Sequence, residues 1–281
     1  MLPLESVPNF SEGRDRATID AIADALGSRA RLLDVHADQD HNRSVFTLVG
    51  DESELADALL AGIAVAVERI DLRRHEGAHP RIGAADVVPL VPIAPQDMER
   101  ARACAAVVGA RVGGELGLPV FVYDPPARGP AYYRRGNLAE IAPDYGPSEL
   151  HPTAGGVILG ARRPLIAFNV NLRGPLPVAR AIAALVREHG GGFPGVRALG
   201  LELPSAGLVQ VSMNVEDWEA AALHEIVDRI RSEAVERGAE VVGSELVGLM
   251  PAGAAATAAG AMLGISGFDA SRLLELRLLQ Q

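Results

Sequence analysis

The densest group of side chains that could do chemistry is the polar segment 73–83, which reads RRHEGAHPRIG. His75 and His79 stand four residues apart, the spacing of two metal ligands on one face of a helix. Gly77 and Pro80 would interrupt such a helix, so we expect no metal site. A positioned histidine with a pKa near neutrality is the usual general acid and base. We therefore interpret His79 as a candidate for proton transfer; the alternative is that these histidines only cap strand or helix ends.

A second polar segment, 34–43, reads DVHADQDHNR and lies between two predicted strands. Aspartate and histidine in this number resemble metal ligands, but the same residue types also make turns and cap strands. A side chain from this segment could orient the imidazole of His79 as the third member of a relay. The orienting candidates are Asp34, His36, Asn42 and Arg43.

A third segment, 143–156, reads PDYGPSELHPTAGG and combines tight-turn residues with hydrogen-bonding side chains and backbone amides. Such a segment could hold a flat heterocycle by hydrogen bonds to its edge. Gly155 and Gly156 could equally do no more than start a hairpin at Val157. The sequence lacks the G-x-x-x-x-G-K-[ST] pattern of a phosphate loop, which disfavours a nucleoside triphosphate as ligand.

The composition is that of an ordinary globular protein, with 281 residues of which 48% are hydrophobic. A formal charge of −10 argues against nucleic acid as a partner, because nucleic-acid binding needs a basic surface. The single cysteine, Cys104, excludes a disulfide framework, and its helical spacing predicts a buried, inert thiol. We find no signal-peptide pattern, and the apolar run 252–265 is too short to span a bilayer. These features predict a cytoplasmic protein without a membrane partner.

Hydrophobic periodicity predicts the order β-α-β-β-α-β, typical of a ferredoxin-like unit, in both halves of the chain. In the first half, the predicted elements are a strand at 7–10, a helix at 15–26, strands at 31–36 and 44–49, a helix capped by Asp51 with Leu55, Leu59, Ile63 and Ile70 along one face, and a strand at 86–93. A helix opening at Pro95, a strand at 119–123 and a long ordered loop over 124–152 follow.

The second half repeats this order of elements. Its predicted elements are strands at 164–172, 196–203, 208–215 and 240–247, a helix opened by Pro175 and Pro177, and a helix at 219–237. The expected fold class is therefore α+β, with two ferredoxin-like (βαββαβ) subdomains at 1–163 and 164–281. A crevice between two such units is a natural place for a ligand.

Strings spread along nearly the whole chain resemble the glutamate formiminotransferase (formimidoyltransferase) family, including the formiminotransferase part of formiminotransferase-cyclodeaminase. They read VPNFSEGRD, LLDV, HNRSVFTLVG, RHEGAHPRIGAADV, APDYGPS, PLIAFNVNL, VQVSMNVED and VVGSELVGLMP. The resemblance implies a transferase that moves the formimino group of N-formimino-L-glutamate to N5 of tetrahydrofolate, giving 5-formiminotetrahydrofolate and L-glutamate. It also implies tetrahydrofolate as co-substrate, no metal or prosthetic group, and a place in one-carbon and histidine metabolism.

The resemblance further implies roles for particular residues. The family's catalytic histidine belongs to an H-P-R motif, which here is His79 followed by Pro80 and Arg81. Its folate-contacting segment begins at a G-P-S string, which here comprises Gly146, Pro147, Ser148, Glu149, Leu150, His151, Pro152, Thr153, Ala154 and Gly155. We prefer Arg81 as the partner of a substrate carboxylate because it adjoins His79. The alternatives are Arg73 and Arg74.

Familiar members of this family carry a longer insertion between segments 137–141 and 142–145, which this chain lacks, so the one-carbon donor could differ. Formyl transfer from N-formylglutamate is one alternative, and a folate-binding module with weakened catalysis is another. A metal-dependent hydrolase is a third, with candidate ligands His36, Asp38, His75 and His79. We expect a homodimer, which is common for enzymes of this size, with formiminoglutamate and tetrahydrofolate as its small-molecule partners.

Overall fold

The structure is a computed structural model that describes residues 2–123, 128–135 and 138–279. The chain divides into two units, residues 1–164 and 165–281, each built on its own β-sheet. The described ranges contain eleven β-strands and eight α-helices, which confirms the predicted α+β class. Within those ranges, no helix has both the length and the apolar character needed to cross a membrane.

Within its described residues, the first unit has a seven-stranded sheet and four α-helices. Its strands are β1 (Leu4–Ser6), β2 (Asn9–Phe10), β3 (Arg31–Asp38), β4 (Arg43–Gly50), β5 (Ala85–Pro92), β6 (Val120–Val122) and β7 (Val157–Ala161). Its helices are α1 (Arg16–Gly27), α2 (Glu52–Arg69), α3 (Met98–Glu115) and α4 (Pro130–Arg135). From β1 to β5 the elements follow the predicted order, with the first strand divided into two short pieces.

The strand order of this sheet decides which loops can meet. β1 and β2 lie end to end between β4 and β5 and are antiparallel to both, and β3 lies beside β4. β7 pairs in parallel with β5, and β6 pairs in parallel with β7. β4, β5 and β7 therefore all begin at the same edge of the sheet.

Helix α2 illustrates how local sequence specifies an element of this unit. The Asp51 side chain accepts a hydrogen bond from the Glu54 backbone N–H at 2.8 Å, and the Glu54 carboxylate accepts one from the Asp51 N–H at 2.9 Å. Such a capping box contributes about 1 kcal/mol to stability. Leu55, Leu59 and Ile63 are fully buried, as predicted, and each contributes roughly 1.5–3 kcal/mol through burial.

The long loop predicted after β6 is partly helical. Residues 124–127 and 136–137 lie outside the described ranges, but helix α4 and a 3-10 turn at Leu138–Glu140 fall within them. Tyr133 on α4 is buried, and its hydroxyl donates to the carbonyl oxygen of Val122 at 2.5 Å. A helix of six residues is too short to produce a hydrophobic period, which explains the missing helical signal.

Over residues 165–279, the second unit has a four-stranded antiparallel sheet and four α-helices. Its strands are β8 (Ile166–Arg173), β9 (Val196–Leu203), β10 (Leu208–Val215) and β11 (Glu240–Val247), and its helices are α5 (Leu176–Val186), α6 (Leu223–Glu236), α7 (Ala252–Leu263) and α8 (Leu274–Leu279). The spatial order is β11-β8-β10-β9. β9, β10 and β11 have the predicted bounds. Helices α7 and α8 lie outside the predicted elements, because α7 is apolar on nearly every side and has no polar–apolar period.

Candidate active site

Topology brings the three polar segments of the sequence to one edge of the first sheet. Segments 34–43, 73–83 and 143–156 end at or just before the starts of β4, β5 and β7, which lie together. Backbone hydrogen bonds join them. The N–H of Ala78 donates to the carbonyl of Asp40 at 3.0 Å, and the N–H of Leu72 donates to the carbonyl of Thr153 at 2.8 Å. Residues remote in sequence therefore form one continuous surface.

The imidazole of His79 is half-buried, and the backbone sets its orientation. Its Nδ1 lies 2.8 Å from the carbonyl oxygen of Pro80. A carbonyl oxygen can only accept a hydrogen bond, so Nδ1 carries the proton in the neutral ring. Nε2 is then the unprotonated nitrogen, which is the form that a general base requires.

Arg81 ties the loop that carries His79 to the β3–β4 turn. Its Nη2 donates to the carbonyl oxygens of His41 at 2.9 Å and His79 at 2.7 Å, and its Nη1 donates to that of Asn42 at 3.0 Å. Its Nε also donates to His79 at 3.2 Å, and Nη1 lies 2.8 Å from the ring nitrogens of His75. Burial, with nearby positive charges, lowers the pKa of Arg81 to about 10. A substrate carboxylate would have to replace some of these contacts.

The side chain of Asn42 also connects the β3–β4 turn to the loop that carries His79. Among the described residues other than glycine, it alone has a positive φ, 45°, a conformation that asparagine tolerates. Its Oδ1 accepts from the N–H of Gly13 at 2.9 Å, and its Nδ2 donates to the carbonyl of Glu76 at 2.9 Å. Gly77, which follows Glu76, leaves room for the guanidinium group of Arg81, because a Cβ at position 77 would stand 2.4 Å from Nη2 of Arg81.

A buried ion cluster lies at the start of β5. Asp86 is fully buried, and its Oδ2 accepts hydrogen bonds from Nη1 of Arg43, at 2.7 Å, and from Nη2 of Arg134. Its Oδ1 accepts from the N–H of Ile82 at 2.8 Å. Burial alone would raise the pKa of Asp86, but the two guanidinium groups reverse this effect and hold it well below its usual range. Two positive charges and one negative charge leave the cluster with a net charge of +1.

Sequence reasoning missed two members of this cluster. Asp86 heads an otherwise apolar strand, and a lone carboxylate in that position was an available signal. Arg134 had no such signal, because it sits on the short helix α4 in a stretch without periodicity. Its Nε is buried and has no hydrogen-bond partner among the residues that the structure describes. Arg134 therefore has one donor left over in the neighbourhood of Asp86.

The ion cluster acts electrostatically on the candidate base. Burial lowers the pKa of His79 well below its usual value, and the charges of Arg43 and Arg134 lower it further. The negative charge of Asp86 opposes this shift only in part. Burial and a nearby guanidinium also lower the pKa of His75. Both rings are therefore neutral at neutral pH.

A third histidine lies beside these two. The ring centroid of His41 is 6.1 Å from that of His79. The His41 backbone is fixed on both sides, since its N–H donates to a carboxylate oxygen of Asp38 at 2.6 Å and its carbonyl accepts from Arg81. Its Nε2 is buried without a hydrogen-bond partner in the described part of the chain. His41 was in the second polar segment but not among the orienting candidates.

The predicted folate segment has two parts of different exposure. Residues 146–150 are exposed, whereas 151–155 fold back on themselves and dock beside the segment that carries His79. The backbone groups of His151 and Gly155 exchange two hydrogen bonds of 2.9 Å each. Gly155 has a φ of 69°, and a Cβ there would stand 2.1 Å from the carbonyl oxygen of Ile82, so only glycine fits. This docking holds the folate segment against the two ends of the segment that carries His79.

The four candidates for orienting His79 have different positions. Arg43 belongs to the ion cluster and Asn42 braces the loop, so both act on the ring indirectly. Asp34 and His36 lie on β3, where they pair with β4. The hydrogen bond to the ring Nδ1 is made by a backbone carbonyl, a group that every residue carries and that a sequence pattern does not mark.

An open cavity of about 520 Å³ lies over segment 73–83, which carries His79, and is large enough for a small substrate. Its lining residues are Leu72, His75, Glu76, Gly77, His79, Pro80, Arg81 and Ile82.

Among the described residues, no group of three or more His, Cys, Asp or Glu side chains is placed to hold a metal ion, so the ligands of the hydrolase alternative are not assembled. Cys104 lies buried in α3, where burial raises the pKa of its thiol to about 11.

Models of the formiminotransferase domain match most of the chain: the N-terminal subdomain over residues 3–162, and the formiminotransferase domain over 167–264. Glutamate formimidoyltransferase from Streptococcus pyogenes serotype M1 is 39% identical and the alignment covers 98% of both chains. That from Thermoplasma acidophilum is 40% identical, over 98% of this chain and 97% of its own. Formimidoyltransferase-cyclodeaminase from Rattus norvegicus is 40% identical over 88% of this chain and 50% of its own length. The chain therefore belongs to the formiminotransferase family, as the resemblance of its sequence strings predicted.

Proposed function

We propose that this protein transfers the formimino group from N-formimino-L-glutamate to N5 of tetrahydrofolate, releasing L-glutamate. Relatives named glutamate formimidoyltransferase, similar over nearly the whole chain, support this assignment. The observation that carries it is the geometry of His79, whose Nδ1–H is held by the carbonyl of Pro80 and whose Nε2 is left as a base. His79 is one of the residues that line a cavity of suitable size.

The reaction needs a single proton carrier. N5 of tetrahydrofolate attacks the carbon of the formimino group in its protonated, amidinium form, the C=N electron pair moves to the imino nitrogen, and Nε2 of His79 takes the proton that N5 loses. The resulting neutral tetrahedral intermediate carries three nitrogens on one carbon: N5, the former imino nitrogen as NH₂, and the nitrogen of glutamate. His79 then passes the proton to the glutamate nitrogen, the carbon–nitrogen bond to glutamate breaks, and L-glutamate departs as an amine. The transfer leaves 5-formiminotetrahydrofolate and a neutral histidine, ready for another turnover.

The low pKa of His79 suits both halves of this cycle. The ring is in its base form at neutral pH, so no proton has to be removed before N5 attacks. Once protonated, it is a stronger acid than an ordinary imidazolium, because burial and then the charges of Arg43 and Arg134 disfavour its positive charge and lower its pKa. A stronger acid donates more readily to the departing nitrogen.

Arg81 remains the predicted partner of a substrate carboxylate, and its contacts support a second task. It bonds to the backbone at His41, Asn42 and His79 and so fixes the loop that carries the base. Arg81→Lys separates the two tasks, because lysine keeps the charge but loses the planar fork of donors. A carboxylate partner predicts a rise in KM for formiminoglutamate, whereas a positioning role predicts a fall in kcat.

The folate site is proposed to include residues 146–155. The support is that residues 146–150 are exposed and that the carbonyl of Thr153 accepts a hydrogen bond from the N–H of Leu72, which lines the cavity. In this segment Nδ1 of His151 accepts from the N–H of Ala154 at 3.1 Å, so its Nε2 carries the proton and is a donor. Tetrahydrofolate is the proposed co-substrate, and no metal is required by this chemistry.

The finer architecture is also a proposal. Residues 1–163 and 164–281 are assigned as the two formiminotransferase subdomains, each with a ferredoxin-like arrangement. The support is that each contains βαββαβ elements whose strands lie in the spatial order fourth, first, third, second. A ligand crevice between them, a homodimer and a cytoplasmic location remain predictions from the sequence.

The test is an absorbance assay for formimino transfer with the purified full chain, formiminoglutamate and tetrahydrofolate. We expect turnover that depends on both substrates. Turnover with N-formylglutamate but not with formiminoglutamate would favour the formyl-transfer alternative. Folinate binding without any turnover would favour the folate-binding module. Absence of turnover with both formiminoglutamate and N-formylglutamate would overturn the assignment.

A further inference from the structure

His75 is the histidine of segment 73–83 to which the proposed reaction gives no task, although it lines the same cavity as His79. It follows a short 3-10 turn, Leu72–Arg74, and its backbone N–H donates to the carbonyl of Leu72 at 3.3 Å. Its own backbone is extended, and the residue is half-buried. The end of the turn therefore fixes the position from which the imidazole reaches its neighbours.

The ring of His75 lies against the guanidinium group of Arg81. Nη1 of Arg81 is 2.8 Å from Nδ1 and 2.8 Å from Nε2 of the imidazole. A neutral imidazole has one protonated and one unprotonated nitrogen, and a guanidinium nitrogen can only donate. Whichever tautomer the ring adopts, an unprotonated nitrogen is therefore within hydrogen-bonding distance of Nη1. A doubly protonated ring has no acceptor, and it would place one positive charge beside another.

The ring completes the set of acceptors around Arg81. A guanidinium group has five N–H donors. Four hydrogen bonds go to backbone carbonyl oxygens, since Nε and Nη2 donate to His79, Nη2 also donates to His41, and Nη1 donates to Asn42. The second N–H of Nη1 is left, and the ring of His75 is the acceptor beside it. This acceptor belongs to a side chain, so a substitution can remove it and leave the backbone contacts in place.

The surroundings of the ring favour its neutral form. Burial lowers the pKa of His75, and the positive charge of Arg81 in the same loop lowers it further. In the segment before α1, Glu12 raises this pKa, whereas Arg14 lowers it. A hydrogen bond to the backbone of Asn42, in the β3–β4 turn, also raises it. The downward effects prevail, so the ring can accept a hydrogen bond from Arg81 at neutral pH.

We propose that His75 is a positioning residue, whose neutral imidazole holds the guanidinium group of Arg81 in place and thereby fixes the loop that carries His79. This inference rests on the proposed function, because the position of the loop matters for turnover only if His79 is the proton carrier. Protonation of His75 removes the acceptor and adds a positive charge beside Arg81. The loop is then released in acid, and His75 is a second group that must be unprotonated for turnover.

The experiment compares two variants of the full chain with the wild type and a matched control. His75→Leu supplies similar bulk but no acceptor, and His75→Gln supplies an acceptor that does not titrate. His189→Leu is the control, because His189 is an exposed histidine in a 3-10 turn of the second unit, Glu188–Gly190. The measurements are kcat and KM for formiminoglutamate and tetrahydrofolate as a function of pH, and the melting temperature.

Loss of the acceptor should lower kcat more than it changes KM. We expect His75→Leu to lower kcat at neutral pH by about tenfold, the effect of one hydrogen bond, while KM for tetrahydrofolate changes much less. His75→Gln should keep most of the wild-type kcat, because its amide oxygen can accept from Arg81. His189→Leu should match the wild type in both quantities.

The pH profile separates this positioning role from a merely structural one. In the wild-type chain, protonation of His75 and protonation of His79 both stop turnover, so log kcat/KM should fall in acid with a limiting slope of about two. In His75→Gln only His79 titrates, so the limiting slope should be about one.

Either of two results would overturn this inference alone. One is an equal kcat in His75→Gln and His75→Leu, and the other is an equal limiting slope in the wild type and His75→Gln. If His75→Leu does not fold, the slopes decide. A wild-type chain without turnover would overturn the proposed function and this inference together.

Discussion

In the first unit, the buried carboxylate of Asp86 accepts hydrogen bonds from Arg43, Arg134 and a backbone N–H, whereas in the second unit the buried Oε1 of Gln210 has no hydrogen-bond partner among the residues that the structure describes. The carboxylate of Asp86 finds its hydrogen-bond partners within the first unit, and burial together with the charges of Arg43 and Arg134 lowers the pKa of His79. Two neutral amides of the second unit lie within hydrogen-bonding distance of one carboxylate. The comparison shows a charged cluster in the first unit, which acts on the pKa of His79, and a polar network in the second unit that consists of amides around one carboxylate.

The stability of the first unit should depend on its ion cluster more than on any surface ion pair. Asp86→Asn leaves two guanidinium groups buried without a counter-charge, so we expect the free energy of unfolding to fall by about 3–5 kcal/mol. Denaturant titration at neutral pH measures this loss. Asp57→Asn is the matched control, because Asp57 forms an exposed pair with Arg111 and should contribute about 1 kcal/mol or less. Equal losses in the two variants would contradict the role of the cluster.

Proton transfer should depend on the first unit through His79. His79→Ala is expected to lower kcat by at least about a hundredfold, as for other general acid–base residues, while folinate binding and the melting temperature are kept. Steady-state kinetics and calorimetry on the same preparation measure these quantities. His189→Ala, at an exposed histidine of the second unit, should leave kcat unchanged. Near-normal turnover of the His79 variant would remove this residue from the mechanism.

The charge of the cluster should be visible in the pH profile. Because the pKa of His79 is lowered, the base form persists in acid, and kcat/KM should fall only at a pH below about 6.5. The unfolded chain binds the proton more tightly, so the stability contributed by neutral His79 is present above about pH 6.5 and is lost as the pH falls.

A variant that removes one positive charge near His79 tests the effect of the cluster on the pKa of this residue. Arg134→Gln removes one charge that lowers the pKa of His79, so it should move the acid limb of kcat/KM to higher pH. Arg102→Gln, at an exposed arginine, is the control and should leave the limb in place. An acid limb at the wild-type pH in Arg134→Gln would show that the cluster does not tune the base.

The smallest expected effect concerns metals. Neither the charged cluster of the first unit nor the polar network of the second needs a metal for the proposed chemistry. We therefore expect full activity after exhaustive chelation and buffer exchange, measured with the formimino-transfer assay. Activity that is lost on chelation and restored by one particular divalent metal would overturn this expectation.

Local signals in the sequence were sufficient for most elements. Asp51 and Glu54 mark the start of α2 because a capping box involves residues three apart, and the side-chain alternation of 208–215 marks a strand whose bounds are those of β10. Helix α4 was missed because six residues are too few for a period to emerge. The site residues also depended on local signals. His79 was predicted because it lies in a dense polar segment, whereas Arg134 lies on the short helix α4 and was missed.

The sequence by itself determined the family, the α+β class and the candidate base, because strings, caps and periods are properties of neighbouring residues. The tertiary structure alone decided the surroundings of that base. Asp86 and Arg134 are 48 positions apart, and Gln210 and Glu245 are 35 apart, so their contacts depend on strand order. The tautomer of His79 likewise depends on a carbonyl oxygen 2.8 Å from its Nδ1. Coulomb interactions and hydrogen bonds fall off steeply with distance, and only the folded chain sets those distances.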